Sequence, residues 1–208
     1  MNLIYHPDNI RPKKLFRYSE RKWLERSLSL GEFRLRPASH YRDIETALAR
    51  SDDEQTWTYS LAPSSVKITN TRTGQSIIPI EEVTFIDQIS TDFLVLCMAS
   101  QSNECLFRDF SADSCLIIHN PEEFCERIYK ATDTILKEWT GLDAKVTYGI
   151  KSFFGVVFTK HSRFANQFEW RFAWCPPDPR VTINEPVMIS IGSIEKIAEI
   201  VDAPSMQR

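Results

Sequence analysis

The run Asp92-Phe-Leu-Val-Leu-Cys-Met-Ala99 contains one of the longest apolar stretches of this chain. After Asp92, its seven consecutive apolar residues match the length of a strand and are far too few to span a membrane. An unbroken apolar run, without the usual alternation, is typical of a strand that is covered on both faces. The sequence therefore predicts a central strand here, and the flanking segments are expected to supply its neighbours.

The N-terminal part of the chain predicts a strand, a helix and a second strand. Residues 15–18 form the first strand, and residues 32–36 alternate apolar and charged side chains as a half-buried strand does. Between them, Ser19 is the expected N-cap and Gly31 the expected C-cap of the helix. The apolar face of this helix comprises Trp23, Leu24, Leu28 and Leu30.

The rest of the chain predicts further strands and one long helix. Asn120 and Pro121 are strong helix-start residues, and the helix is expected to run to Gly141. Its packing face is predicted to be Phe124, Ile128, Ala131, Ile135 and Trp139. Strands are expected at 57–61, 65–70, 76–80, 115–119, 144–150, 153–159, 168–174 and 187–191, and helical turns at 103–110 and 194–201.

These elements together predict an α+β fold. We expect a single α+β domain over residues 1–208, with a mostly antiparallel, mixed sheet, one long packed helix and several short helices. A chain of this length buries enough surface to form a core without disulfides or metal ions.

Charge is unevenly distributed along the chain, although the net charge of its 208 residues is only −3. Residues 1–50 contain 11 Lys and Arg against 6 Asp and Glu, whereas residues 51–143 contain 6 against 16. A basic first quarter favours a phosphate-bearing ligand, nucleic acid or an acidic partner; its alternative role is to pair with the acidic middle. The overall acidic balance argues against a protein that coats DNA.

Cysteine and histidine usage points away from disulfide and metal chemistry. The five cysteines show no CxxC spacing, and the first residues lack the apolar core of a secretory signal. We therefore expect a cytoplasmic protein with reduced thiols, in which Cys97 and Cys125 are buried. The four histidines are scattered, so no metal site is expected. Glycine-rich phosphate loops are absent too, so a nucleotide site would need another design.

The segment Phe168-Glu-Trp-Arg-Phe-Ala-Trp174 alternates strictly, so Glu169 and Arg171 share one face of a strand. On a central strand, Glu169 with Gln167 would form a candidate catalytic site, because such side chains can hold a sugar hydroxyl and stabilise positive charge at an adjacent carbon. On an outer strand, Glu169 and Arg171 would be an ordinary solvent-facing pair. The sequence leaves both interpretations open.

Arginines of the N-terminal unit offer the complementary chemistry. Arg17 lies on the first strand, and Arg34 and Arg36 share the non-core face of the second. Guanidinium groups bind phosphates in a planar, bidentate manner, so these residues predict a phosphate clamp; in the alternative, their stems cover apolar edges. The aromatic residues nearby that can stack on a planar ring, or pack in the core, are Tyr18, Phe33 and Tyr41.

Three stretches carry a family resemblance: LFRYSERKWLERSLSLGEFRLRPASHYRDIETA (15–47), FLVLCMASQSNECLFRDFSADSCLIIHN (93–120) and KHSRFANQFEWRFAW (160–174). They resemble the landmarks of a bacterial family known only as domain of unknown function number 2971, in which a late strand follows the pattern Lys…Glu-x-Glu-Tyr-Arg. Here that pattern becomes Lys160…Gln167-Phe-Glu169-Trp-Arg171. The segment RPASHYRDIE (36–45) replaces the Asn-Asp-Pro segment of the family.

A more distant resemblance is to the ADP-ribosyltransferases. Arg17, the 39–41 region and Gln167-x-Glu169 follow the order of parts in those enzymes. The resemblance implies a split sheet that clamps NAD, with Arg17 on the pyrophosphate, aromatic residues on the nicotinamide and Glu169 on the ribose. It implies cofactor-binding roles for Arg17, Tyr18, Arg36 and Tyr41.

Two main functions follow. The first is an ADP-ribosyltransferase-like or NAD-glycohydrolase-like enzyme, a toxin or defence effector with NAD as cofactor and a protein or nucleic acid as acceptor. The alternative is a non-catalytic binding protein whose basic N-terminal unit engages nucleic acid or an acidic partner. A nuclease is disfavoured, because no carboxylate cluster with metal spacing is apparent.

Overall fold

The structure is a computed structural model that describes residues 2–3, 9–41 and 53–204. Within these ranges the α-helices are α1 (Arg21–Leu30), α2 (Cys105–Asp109) and α3 (Pro121–Ile135). The strands are β1 (Asn2–Leu3), β2 (Leu15–Ser19), β3 (Glu32–Pro37), β4 (Thr56–Leu61), β5 (Ile68–Thr69), β6 (Ser76–Ile77), β7 (Val83–Gln88), β8 (Leu94–Ala99), β9 (Ser114–Ile118), β10 (Thr140–Lys145), β11 (Thr147–Tyr148), β12 (Thr159–Lys160), β13 (Glu169–Cys175), β14 (Val187–Ser190) and β15 (Ala198–Asp202).

Nine of these strands form one sheet, with the predicted central strand β8 in its interior. The main order is β1-β10-β13-β8-β2-β9-β15, and β3 and β14 extend the sheet from β8 as a second branch. All pairs are antiparallel except β1 with β10, so the sheet is mixed, as expected. The α+β fold with one long packed helix is confirmed.

Helix α3 covers one face of the sheet. Asn120 caps its first turn by accepting a hydrogen bond from the Glu123 N–H at 3.2 Å, and Pro121 occupies the first helical position. The aromatic face of β13 packs beneath it, with the rings of Phe124 and Phe172 6.0 Å apart edge to face. The large rings of β13 therefore lie in the main core, as the strict alternation predicts.

The end of α3 and its packing face differ from the prediction. The helix ends at Ile135, and Gly141 lies within β10. Its buried face comprises Pro121, Phe124, Cys125, Ile128, Tyr129 and Thr132, while Ile135 is exposed. The 139–141 segment leaves the helix because β10 pairs with β13 from Thr140 onward.

The start of α1 also differs, because Ser19 is not its N-cap. Ser19 ends β2, and the N-cap is Glu20, whose side chain makes no capping hydrogen bond. Asp113, from the loop before β9, instead accepts a hydrogen bond from the Arg21 N–H at 2.6 Å. A carboxylate distant in sequence therefore stabilises the positive end of the helix dipole.

Several smaller expectations need correction. Residues 198–202 form strand β15 rather than helix, because they pair with β9 and complete that edge of the sheet. Strand β7 was not predicted; it pairs with β4 as a separate two-stranded arm, and β5 and β6 are shorter than expected. The strands expected over 144–159 are largely absent: 144–145 end β10, β11 is only two residues long, Val156–Phe158 form a 3₁₀ turn and 159 begins β12. Among the described residues, no helix is long and apolar enough to cross a membrane.

Candidate functional site

The sheet forks at strand β8. One edge of β8 pairs continuously with β13. On the other edge, Ala99 pairs with Phe16 of β2, whereas Val95 pairs with Arg36 of β3. Strands β2 and β3 run in the same direction, joined by α1, and they diverge over residues 96–98 of β8. We call the space between them the fork cleft.

Arg17 bridges the fork. Its Nη1 atom donates a hydrogen bond to the carbonyl oxygen of Cys97 at 3.3 Å, at the position where β8 lacks a strand partner on this edge among the described residues. A guanidinium group thus satisfies a backbone acceptor that strand pairing leaves open. Arg17 therefore places a positive charge at the centre of the sheet, where the fork opens.

The fork cleft has two compartments. The inner one, about 180 Å³ in volume, extends to Tyr41, Lys160, Gln167 and Glu169. The outer one, about 910 Å³, lies between α1, β3 and β14. Both compartments are lined by Arg17, Ser19, Arg34, Arg36 and Phe110. Three arginines therefore border both compartments, and we call Arg17, Arg34 and Arg36 the arginine waist.

Arg34 and Arg36 differ from most of the arginines that the structure describes in lacking a carboxylate partner. Arg11, Arg21, Arg26 and Arg127, for example, each form an ion pair. Among the described residues, neither Arg34 nor Arg36 forms one, and Arg34 is exposed. Arg34 and Arg36 consequently present positive charge that no carboxylate of the described residues pairs with, which favours an anionic ligand.

The two predicted tyrosines line the inner compartment but are held differently. The Tyr18 ring packs edge to face on Phe107 at 4.9 Å, and its hydroxyl accepts a hydrogen bond from the Asn103 N–H at 2.9 Å. Tyr41 contacts the Arg36 guanidinium, 5.5 Å from its ring centroid, and burial raises the pKa of its hydroxyl. Tyr18 is thus largely a core residue, whereas Tyr41 holds Arg36 by a cation–π contact. Phe33, the third aromatic candidate, is 1% exposed and belongs to the main core.

Glu169 lies in a buried charge cluster made of Glu54, Lys160, Glu169 and Arg171. Its two carboxylate oxygens contact Arg171 Nε at 2.7 Å and Lys160 Nζ at 2.9 Å. Glu54 contacts the same two cations, at 2.6 Å from Arg171 and 3.2 Å from Lys160. The cluster contains two charges of each sign, so it is neutral as a whole.

Burial of the cluster excludes the interpretation of Glu169 and Arg171 as a solvent-facing pair. Glu169 is 3% exposed and Arg171 is fully buried, so both lie on a central strand and not on a solvent-facing one. Burial opposes ionisation of Glu169, but Arg171 and Lys160 outweigh it and hold the pKa of this carboxyl well below its usual range. Glu169 is therefore ionised at neutral pH, with its charge compensated.

Lys160 links the predicted catalytic residues to each other. Besides the two carboxylates, its Nζ donates a hydrogen bond to Gln167 Oε1 at 3.2 Å. Burial lowers the pKa of this ammonium group, yet Glu169 and Glu54 raise it above its ordinary value. Gln167 and Glu169 are thus fixed by one cation, and all three side chains line the inner compartment.

Sequence reasoning missed two members of the cluster as site residues. Lys160 stands at the start of the Lys…Gln-x-Glu-x-Arg pattern, so its place in that pattern was the available signal. Glu54 lies in a polar connection before β4 with no pattern around it. Its 2% exposure arises because the fold brings it into contact with Lys160 and Arg171.

All six predicted site residues, Arg17, Tyr18, Arg36, Tyr41, Gln167 and Glu169, line the inner compartment of the fork cleft. Cys97 also lines it, and burial raises the pKa of its thiol to about 12, so this cysteine is a poor nucleophile. Within the described ranges, no group of three or more His, Cys, Asp and Glu side chains could hold a metal ion. Comparisons with models of protein families, with curated proteins and with solved structures find no match to this chain.

Proposed function

We propose that the fork cleft binds a nucleotide with a central pyrophosphate, and that the protein is an ADP-ribosyltransferase-like enzyme that uses NAD. The observation that carries this proposal is the arginine waist between two compartments. A dinucleotide has the matching shape, because its pyrophosphate lies between two nucleosides. The outer compartment alone falls within the range of about 300 to 1,000 Å³ that is typical of ligand sites.

Arginine chemistry supports a phosphate at the waist. Arg34 and Arg36 are two residues apart on β3, so both side chains leave the same face of the strand. Each guanidinium can donate two parallel hydrogen bonds to phosphate oxygens, and Arg36 is already oriented by Tyr41. Pre-orientation of this kind reduces the entropy that is lost on binding.

The proposed chemistry takes place in the inner compartment. When the bond between the ribose and nicotinamide breaks, nicotinamide leaves with the electron pair and positive charge develops on the ribose carbon. Because Lys160 and Arg171 compensate the charge of Glu169, we assign this carboxylate to accepting a hydrogen bond from a ribose hydroxyl rather than to acting as an isolated anion. Gln167 would hold the same sugar, and the acceptor would be a protein or a nucleic acid.

A second candidate is a binding protein that engages an anionic ligand or partner without turnover. The neutrality of the buried charge cluster favours this alternative, because a catalytic carboxylate usually keeps an uncompensated charge or a raised pKa. In this alternative, Glu169 is a structural residue and the arginine waist alone provides the function.

Nicotinamide release distinguishes the two candidates. The purified chain is incubated with NAD, and free nicotinamide is measured for the wild type beside the double variant Lys160→Met/Glu169→Gln. We expect release by the wild type and a loss of at least about 100-fold in the variant, the usual effect of removing one stabilising group. Binding of NAD without release by the wild type would favour the second candidate.

The double variant is chosen so that folding does not confound the result. Glu169→Gln alone would leave a surplus buried positive charge, which destabilises a protein by about 3 to 5 kcal/mol. Removing Lys160 together with Glu169 takes away one charge of each sign and leaves the pair of Glu54 with Arg171. A double variant that melts like the wild type and still releases nicotinamide at the wild-type rate would show that Glu169 is not catalytic.

A further inference from the structure

Trp23 is the most exposed of the five tryptophans. It is 54% exposed, whereas Trp57, Trp170 and Trp174 are exposed by 8% or less and Trp139 is partly buried. Burial of the large apolar surface of a tryptophan stabilises a folded protein or a complex. An indole that is exposed on a helix surface does not contribute this stabilisation. Trp23 is therefore a candidate for covering by a ligand.

The side chains around Trp23 in the fork cleft indicate the class of ligand that would cover it. Trp23 lines the wall of the outer compartment on the α1 side, while Arg34 and Arg36 line both compartments. Met188, which pairs with Arg34 across β14 and β3, is 55% exposed and adds apolar surface to the same compartment. The outer compartment thus combines an open aromatic ring with an adjacent phosphate clamp.

Contacts with its neighbours hold the indole of Trp23 in place. Its Nε1 donates a hydrogen bond to Glu20 Oε1 at 3.3 Å, and the ammonium of Lys22 lies 5.2 Å from its ring centroid. Lys22 is in turn ion-paired with Glu20 at 2.6 Å. An aromatic ring that is fixed before binding loses less side-chain entropy when a planar group stacks on it.

We propose that Trp23 is the stacking platform for the base in the outer compartment, and that this base is the adenine of the dinucleotide. The inference rests on the proposed function, since it assigns the two halves of NAD to the two compartments. The inner compartment takes the smaller nicotinamide ring beside Gln167 and Glu169. Carboxylates lining the outer compartment, Glu20, Glu32 and Glu185, can accept hydrogen bonds from the adenine amino group and the ribose hydroxyls.

Tryptophan fluorescence provides a direct test with the full chain. ADP-ribose and inorganic pyrophosphate are titrated into the wild type, Trp23→Ala, Trp23→Phe and, as a control, Trp139→Phe. Excitation is set where adenine does not absorb. We expect ADP-ribose to quench the emission of the wild type and of Trp139→Phe, whereas the two Trp23 variants should show no quenching.

Affinities measured by calorimetry on the same proteins complete the test. Because the base would lose its stacking partner, we expect Trp23→Ala to bind ADP-ribose about tenfold more weakly than the wild type. Trp23→Phe, which keeps an aromatic ring, should recover part of this affinity. Pyrophosphate, which has no base, should bind the wild type and Trp23→Ala with affinities that agree within about twofold.

The outcomes separate this inference from the proposed function. If Trp23→Ala binds ADP-ribose as tightly as the wild type, Trp23 is not the platform, and the nucleotide site stands. Equal weakening of ADP-ribose and pyrophosphate in Trp23→Ala would also overturn the stacking role. If the wild type binds neither compound, the proposed function and the stacking role both fail.

Discussion

At the scale of single residues, the defining feature is a carboxylate that is buried beside two cations. Glu169 contacts Lys160 and Arg171. Glu54, which comes from the connection before β4, contacts the same two cations. Such a group can accept a hydrogen bond from a ligand but contributes little net negative potential, because its charge is compensated within 3 Å. The positive charge of the site consequently lies at the arginine waist, and the charge cluster at the inner end is neutral as a whole.

The low pKa of Glu169 predicts a specific dependence of stability on pH. Because its folded-state pKa lies below the ordinary value of 4.5, ionised Glu169 stabilises the folded state above that pH. This contribution is lost progressively as the pH falls from about 4.5 toward the folded-state pKa. We expect the difference in free energy of unfolding between the wild type and Glu169→Gln to be constant above about pH 6 and to shrink as the pH falls to about 3.

Urea unfolding of both proteins at several pH values checks this prediction. Glu185→Gln is the matched control, since Glu185 is exposed and forms no ion pair among the described residues. A difference between the wild type and Glu169→Gln that does not change with pH would mean that the ion pairs of Glu169 do not stabilise the fold.

At the scale of elements, the fork depends on how α1 joins β2 to β3. The helix ends at Gly31, which has a φ of 66° and donates its N–H to Ser27 O at 3.0 Å. The backbone of residues 191–194 packs against this end, since Ile191 N donates to Gly31 O and Ile194 N donates to Leu28 O. Close packing at this end of the helix fixes where β3 begins and therefore how the fork opens.

Gly31→Ala is expected to be strongly destabilising. A Cβ atom at this position would lie 2.1 Å from Gly192 O, and the positive φ adds strain. The two effects together predict a loss of about 2 to 4 kcal/mol in the free energy of unfolding. Gly74→Ala is the control: its φ is 71°, but no atom lies within 4 Å of the added Cβ, so strain alone remains. Equal losses in both variants would show that the contact with Gly192 does not constrain the helix end.

Local patterns predicted most of these elements, and the exceptions have a common cause. The apolar run before Ala99, the capping residues of α3 and the alternation around Glu169 are local signals, and each gave the correct element. The 198–202 segment has apolar residues at helical spacing, but it forms a strand because β9 offers an unpaired edge. Pairing between distant segments overrides such local preferences, and a single sequence does not show it.

The candidate site, like the fold, was predicted from sequence only in part. Arg17, Arg36 and Glu169 were predicted as site residues from residue type and strand face, and all three line one cleft. Lys160 and Glu54 were not predicted as site residues. Their burial depends on charged partners that the fold brings from other segments of the chain. The fork itself was equally inaccessible, since it depends on β8 pairing with two strands along one edge.

At the scale of the whole molecule, the structure shows where the basic and acidic segments of the sequence lie. The basic first quarter of the chain supplies all three arginines of the waist. The acidic middle supplies Glu54, which helps to neutralise the inner end, and Asp113, which caps α1. The three waist arginines therefore line the cleft of a protein whose net charge is only −3, beside the carboxylates of Glu20, Glu32 and Glu185. Binding of an anion there should weaken as ionic strength rises.

Calorimetric titration with ADP-ribose, which carries the pyrophosphate but is not consumed, tests directly whether the arginine waist binds a pyrophosphate. The wild type is compared with Arg34→Gln/Arg36→Gln and with Arg72→Gln/Arg180→Gln, a control that removes the same charge from exposed positions outside the cleft. We expect saturable binding to the wild type and the control, and a loss of at least about tenfold in the waist variant. No saturable binding by the wild type, or equal affinity in the two double variants, would contradict the account.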